Sequence, residues 1–160
     1  MSYERAKEHL EKFGLGDRIR LFEVSSATVA LAAEALGTSE ARIAKTLSFL
    51  TPEGAILVVA AGDAKIDNRK FKDTFHTKAK MISHDEVEAL VGHAVGGVCP
   101  FGTNSGVKVY LDGSLRRFDV VYPAAGTASS AVELTVSELE LATSPEAWVD
   151  VTQIPSVNEE

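Results

Sequence analysis

A single cysteine, Cys99, excludes an intramolecular disulfide, and no apolar run reaches the roughly 18 residues that a membrane-spanning helix requires. The amino-terminal stretch Met1-Ser2-Tyr3-Glu4-Arg5 is charged where a secretory signal would be apolar, so a cytoplasmic protein with no membrane partner is expected. There are only 5 prolines, and neither a proline-rich linker, a low-complexity tract nor an internal repeat divides the 160 residues, which favours a single domain over 1–160. Basic residues are outnumbered 16 to 23, and a net charge of −7 argues against a general affinity for nucleic acid, which rests on phosphate neutralisation. Walker loops, dinucleotide fingerprints and serine nucleophile elbows are missing. His9, His76, His84 and His93 do not pair at ligand spacing with one another or with Cys99, so neither a metal nor a cofactor is expected.

With 45% apolar residues the chain can bury a sizeable core. Residues 3–13 read as a helix closed by Gly14, and Arg18 to Val24 as a strand. Thr28 to Leu36 is an alanine-rich helix ending at Gly37, and Thr38 or Ser39 caps a short helix through Ala44, which leaves Lys45 at a helix-to-strand junction. Leu47–Leu50, a Pro52-Glu53-Gly54 turn and Ala55–Ala61 read as a hairpin whose second strand, apolar on both faces, is central in a sheet. Asp67 or Asn68 caps a helix through Phe75, and Ser83 with Glu86 forms a capping box opening a helix through Leu90. Val107–Leu111, Phe118–Tyr122 and Ala131–Thr135 are strand segments, the first followed by an Asp112-Gly113 turn, Ser137–Leu141 is a short helix, and the tail after Pro155 is expected to fray. Short strands mixed with helices, without regular strand-helix alternation, point to an α+β or mixed-sheet barrel rather than a doubly wound sheet.

Three segments combine into a candidate pocket. Gly96-Gly97-Val98-Cys99-Pro100-Phe101-Gly102 leaves backbone N–H groups uncovered by side chains, although a tight loop needs the same residues. Lys45, between Ile43-Ala44 and Leu47, either snorkels to water or meets an anion in a cleft. Tyr122-Pro123-Ala124-Ala125-Gly126-Thr127-Ala128-Ser129-Ser130 places small residues before a strand. Lys65, Arg69, Lys70, Lys72, Lys78 and Lys80, opposed only by Asp67 and Asp73, make one basic segment in an acidic chain, readable as a solvated helical face or as a phosphate contact. Cys99 is either a small buried hydrophobe or a thiol nucleophile, His93 being close in sequence.

In order and spacing, Arg42-Ile43-Ala44-Lys45-Thr46-Leu47, Leu57-Val58-Val59-Ala60-Ala61-Gly62-Asp63, the Gly96–Gly102 run and Ala124-Ala125-Gly126 resemble the YbaK and prolyl-tRNA editing domain family, over a core of about residues 25–142. The resemblance implies an α+β fold in which a mixed β-sheet curls into a partial barrel with flanking helices. It implies hydrolysis, in trans, of the ester joining a small wrong amino acid to tRNA, tRNA(Pro) foremost, with no cofactor. The partners implied are the acceptor end of aminoacyl-tRNA and a synthetase such as prolyl-tRNA synthetase.

The catalytic positions carried over by the resemblance are Lys45, Gly96, Gly97, Pro100 and Gly102. Thr46, Val98, Cys99, Phe101, Asp119, Gly126, Thr127 and Ser129 would bind substrate, and Lys65, Arg69, Lys70 and Lys72 would contact tRNA. Ester hydrolysis needs stabilisation of a developing oxyanion and a held substrate, both of which backbone donors and one cation supply. The ribose 2′-hydroxyl next to the ester offers a substrate-assisted route to water activation, in keeping with the absence of a triad. Two rivals stay open: a non-catalytic aminoacyl-tRNA or nucleotide-binding module, and a thiol enzyme built on Cys99.

Overall fold

The computed structural model describes residues 2–26 and 28–155. It contains five α-helices among these residues, α1 (Ser2–Glu11), α2 (Val29–Leu36), α3 (Asn68–Phe75), α4 (His84–Val91) and α5 (Val136–Thr143). The strands are β1 (Ile19–Leu21), β2 (Ile43–Thr51), β3 (Gly54–Ala61), β4 (Lys65–Ile66), β5 (Lys108–Asp112), β6 (Val120–Pro123), β7 (Ser130–Val132), β8 (Leu134–Thr135), β9 (Ala147–Val149) and β10 (Thr152–Gln153). Six of them form a curled half-barrel sheet in the order β8-β6-β2-β3-β5-β9, while β1 pairs with β7 and β4 with β10. The architecture is the mixed α+β half barrel that the resemblance implies.

The sheet is organised by the β2–β3 hairpin, in antiparallel register from Thr51↔Gly54 to Ala44↔Ala61. β3 is central, with β5 parallel on its other side, and Leu57, Val58, Val59 and Ala60 are inaccessible to solvent. Side chains alternate across a strand, so Leu57 and Val59 enter the larger core with Leu10 of α1, Val87 of α4 and Leu139 of α5. Ile56 and Val58 face the opposite way into a smaller core beneath α3. There Phe49, Phe71, Phe75 and Tyr110 form a chain of ring contacts 4.7–4.9 Å between centroids. Burial on both faces explains the uninterrupted apolar run of β3.

Helix ends follow local chemistry. Thr28 accepts from the N–H of Leu31, and Gly37, at φ 70°, closes α2 in the left-handed conformation. Asp67 accepts from the N–H groups of Arg69 and Lys70 to open α3.

Several sequence expectations change. The strand expected over Arg18–Val24 shortens to Ile19–Leu21, because the following residues bend towards the carbonyls of Ala128 and Ser129. The helix expected through Ala44 is a single 3-10 turn, Glu40–Arg42, and Lys45 is the third residue of β2 rather than a junction residue. Ser83 opens α4 without capping it: its hydroxyl donates to the Glu86 carboxylate. A reciprocal capping box occurs instead at Thr135 and Glu138, which starts α5 one residue early, and the strand expected over Ala131–Thr135 is split into β7 and β8, which pair with different strands. The Asp112-Gly113 turn is a 3-10 turn, Gly113–Arg117, with buried Asp112 accepting from Ser114 and, on the carboxy-terminal segment, from Val151 and Thr152. The tail after Pro155 lies outside the described residues.

Candidate active site

The outer edge of β2 is covered in two pieces with a gap between them. β6 runs parallel to β2 only at Ile43 and Ala44 and ends at Pro123. Further along the same edge, Leu50 N–H donates to the Lys80 carbonyl and Ile82 N–H to that of Ser48, at 2.8 and 3.1 Å. Backbone groups of alternate residues point to the same edge, so the N–H and C=O of Thr46, between Ala44 and Ser48, face the gap. A cleft of about 460 Å³ opens there, lined by the six successive β2 residues from Ile43 to Ser48. Among the described residues the buried Thr46 hydroxyl oxygen has no hydrogen-bond partner, an arrangement that costs on the order of 1–3 kcal/mol when nothing occupies it.

Lys45 is half-buried at this edge, and its Nζ donates to the carbonyl oxygens of Gly62, at 3.4 Å, and Ala64. Glycine is required at position 62, since a Cβ would meet the Glu40 carbonyl oxygen at 2.0 Å. Between the two accepting carbonyls, the Asp63 carboxylate is held by the Arg117 guanidinium through two hydrogen bonds of 2.6 and 3.1 Å. The Arg117 guanidinium also lies 4.8 Å from the Phe118 ring centre. Burial lowers the pKa of Lys45, Asp63 opposes that shift, and Lys65 adds to it. Asp63 is itself held below the usual carboxylate range, chiefly by its hydrogen bonds from Arg117.

The facing wall is built from Gly96 and Val98 of the glycine run together with Ala124 and Ser130. Gly96 takes φ +89°, a conformation that side chains disfavour. Ser130 closes the small-residue turn: its Oγ accepts from the N–H groups of Ala125 and Thr127, at 3.0 and 3.3 Å, and donates to the Thr127 carbonyl. Ser26 donates to the Ala128 carbonyl at 3.2 Å, tying the segment before α2 to the same turn. Behind the wall Gly97 packs so closely on Gly126 that a Cβ at 97 would meet the Gly126 carbonyl at 2.6 Å.

Of the residues singled out from the sequence, Lys45, Thr46, Gly96 and Val98 line the cleft together. Gly97, Cys99, Pro100, Phe101 and Gly102 stand behind its wall; Cys99 and Phe101 are completely buried, and Gly102 packs against the Arg5 backbone. Gly126, Thr127 and Ser129 belong to the turn that Ser130 closes, and Asp119 is exposed just before β6. Lys65 is near enough to influence Lys45, whereas Arg69, Lys70 and Lys72 lie on α3, where Lys70 is engaged by Asp150 and the Thr152 carbonyl. Ser26, Ser130, Met81 and His84 also line the cleft without having been singled out. Only Ser130 stood in a segment with a sequence signal, the small-residue run.

Cys99 Sγ lies 3.6 Å from His93 Nε2, a spacing that resembles a thiol–imidazole pair. However, Nε2 is 2.6 Å from the Phe101 carbonyl and must donate its proton there, while Nδ1 accepts from the Ser2 hydroxyl at 2.5 Å. His93 is therefore a neutral, fully engaged imidazole, and burial keeps it so by lowering its pKa. Burial also pushes the Cys99 thiol up to about 12, the opposite of what a nucleophile needs. Among the described residues, no group of three His, Cys, Asp or Glu residues is placed to hold a metal ion, and no helix is long and apolar enough to cross a membrane.

The site is therefore an edge cleft of a curled mixed sheet, with one anchored lysine and backbone groups facing it. The aminoacyl-tRNA editing domain family matches residues 23–141, and the chain belongs to that family. YwhH of Bacillus subtilis (strain 168), an uncharacterized protein, is 50% identical over 153 residues, covering 94% of this chain and 97% of YwhH. Proline–tRNA ligase of Bacillus cereus (strain AH820) is 26% identical over 110 residues, 68% of this chain but only 18% of the ligase. Among solved structures, a candidate trans-editing enzyme for prolyl tRNA synthetase superposes with a TM-score of 0.85 at 30% identity, covering 95% of this chain and 97% of that one.

Proposed function

We propose that the protein is a trans-acting aminoacyl-tRNA deacylase that hydrolyses the ester of a small amino acid wrongly attached to tRNA, with tRNA(Pro) as the first candidate. The observation that carries this reading is the β2 edge: a lysine held on two carbonyls beside a buried hydroxyl with no partner among the described residues, in a cleft that the buried Cys99 thiol does not line. Attack of water on the ester carbonyl transfers negative charge to its oxygen. The Lys45 ammonium and the Thr46 N–H, together with the backbone of Gly96, are donors available at that point. The acyl group occupies the apolar part of the cleft beside Ala44, Val98 and Ala124, whose small side chains favour a small residue. The ribose 2′-hydroxyl is the group left to assist the attacking water. Family membership supports the reaction class, and near end-to-end similarity to a candidate trans-editing enzyme for prolyl tRNA synthetase supports action in trans alongside a synthetase.

The test is amino acid release from tRNAs bearing alanine, cysteine, serine, threonine and proline, with wild-type protein and Lys45→Ala in parallel. Selective release that disappears in Lys45→Ala is the expected outcome and names the substrate. Absence of release from every folded sample would replace the deacylase with a non-catalytic aminoacyl-tRNA binding module.

A further inference from the structure

The ammonium of Lys45 has three N–H donors, and the Gly62 and Ala64 carbonyls take two. The carboxylate nearest in sequence to both acceptors, Asp63, would be the natural third partner. It is instead engaged by Arg117 in a two-bond fork, at 2.6 and 3.1 Å, and makes no ion pair with Lys45 among the described residues. Arg117 is in turn fixed by donating Nε–H to the Ser114 carbonyl at 2.9 Å and by lying over Phe118. A planar fork is required for this grip, because a single ammonium cannot hold both carboxylate oxygens in one plane.

We propose that Arg117 is a positioning residue whose clasp on Asp63 withholds that carboxylate from Lys45 and so leaves the third N–H of the lysine free to face the cleft. Without the clasp, Asp63 would turn onto the adjacent ammonium and occupy its remaining donor. The charge of Asp63 still helps to keep Lys45 protonated against burial and the repulsion of Lys65. Asp63, Lys65 and Arg117, with His84 in the cleft lining, are the charged or titratable groups to be considered around it. The consequence for catalysis rests on the deacylase reading above, but the clasp itself does not.

The discriminating experiment compares wild type, Arg117→Met, Asp63→Asn and the double variant Asp63→Asn/Arg117→Met. Methionine retains an apolar stem over Phe118 and removes the fork. The first readout is the rate at which Lys45 is trinitrophenylated at pH 8 by trinitrobenzenesulfonate, resolved by peptide mass spectrometry, which needs no tRNA. Pairing with Asp63 raises the lysine pKa, so Arg117→Met should react about tenfold more slowly than wild type, and the double variant should recover the wild-type rate or exceed it. The second readout is deacylation: kcat should fall on the order of tenfold in Arg117→Met with KM little changed, and return in the double variant. A merely structural role for Arg117 would leave the double variant no better than the single one. If Arg117→Met does not fold, Arg117→Lys, which keeps the charge and loses the fork, carries the same comparison with its own double variant. Unchanged Lys45 reactivity in the single variant, or no recovery in the double, overturns the clasp. Recovery of reactivity in a protein that deacylates nothing would uphold the clasp and overturn the deacylase reading instead.

Discussion

At the scale of single residues, the two groups with chemical potential are pushed in different directions by their surroundings. Lys45 is buried enough to lower its pKa but keeps two carbonyl acceptors and a nearby carboxylate. Replacing it with alanine should reduce kcat on the order of 10²-fold, the loss expected for one donor to a developing oxyanion. In the proposed reaction the ammonium is the active form, and because its pKa is depressed, activity should fall on the alkaline side at a pH below the usual lysine range. The profile is measured after subtraction of spontaneous ester hydrolysis, and a flat profile through that range would remove the ammonium from the reaction. Cys99 is the converse case: with its thiol pushed up to about 12 and no solvent exposure, it carries almost no thiolate at neutral pH. Cys99→Ser should therefore retain most deacylation, and iodoacetamide at pH 7.5 should leave the folded wild type active and unmodified. Rapid alkylation accompanied by inactivation would return the thiol to the mechanism.

At the scale of elements, the site depends on close backbone packing behind it. A Cβ at position 97 would stand 2.6 Å from the Gly126 carbonyl carbon and oxygen, a clash with main chain that cannot be relieved by moving a side chain. Gly97→Ala should destabilise the fold by about 3 kcal/mol and displace the wall that carries Gly96, visible as a lowered denaturation midpoint. Much of this organisation was legible in the residue pattern: the hairpin from its apolar runs around Pro52-Glu53-Gly54, α2 from Thr28 and Gly37, and α3 from Asp67. Its less legible parts depend on contacts distant in sequence. Whether Ser83 or Thr135 caps a helix is decided by side-chain geometry, since both stand three residues before a glutamate. The gap at Thr46 exists because β6 stops at Pro123 and the chain near Lys80 rejoins the edge only at Ser48, which no local motif records. Lys45 was recognisable from its apolar neighbours and its family resemblance, but the carbonyls that hold it, and the Asp63–Arg117 pair beside them, come from elements separated by up to 54 residues.

At the scale of the whole molecule, a net charge of −7 limits how many phosphates the protein can neutralise at once. The basic residues of residues 65–72 are not equivalent in this respect. Lys70 is engaged by Asp150 and the Thr152 carbonyl, at 3.0 and 2.8 Å, so its charge is already directed towards the carboxy-terminal segment. Lys65, Arg69 and Lys72 are exposed, and Lys65 is near enough to the cleft to act on Lys45. If tRNA is bound through this segment, Lys65→Ala, Arg69→Ala and Lys72→Ala should each weaken binding and each flatten the dependence of log affinity on log salt concentration by roughly 0.7–0.9. The total slope should be only about −2 to −3, as expected for three phosphate contacts on a protein of opposite overall charge. Lys70→Ala should instead leave the slope unchanged and lower stability by less than about 1 kcal/mol, the scale of an exposed ion pair. Binding titrations at several salt concentrations separate the two behaviours: equal slopes for wild type and all three exposed-residue variants would remove residues 65–72 from the tRNA path.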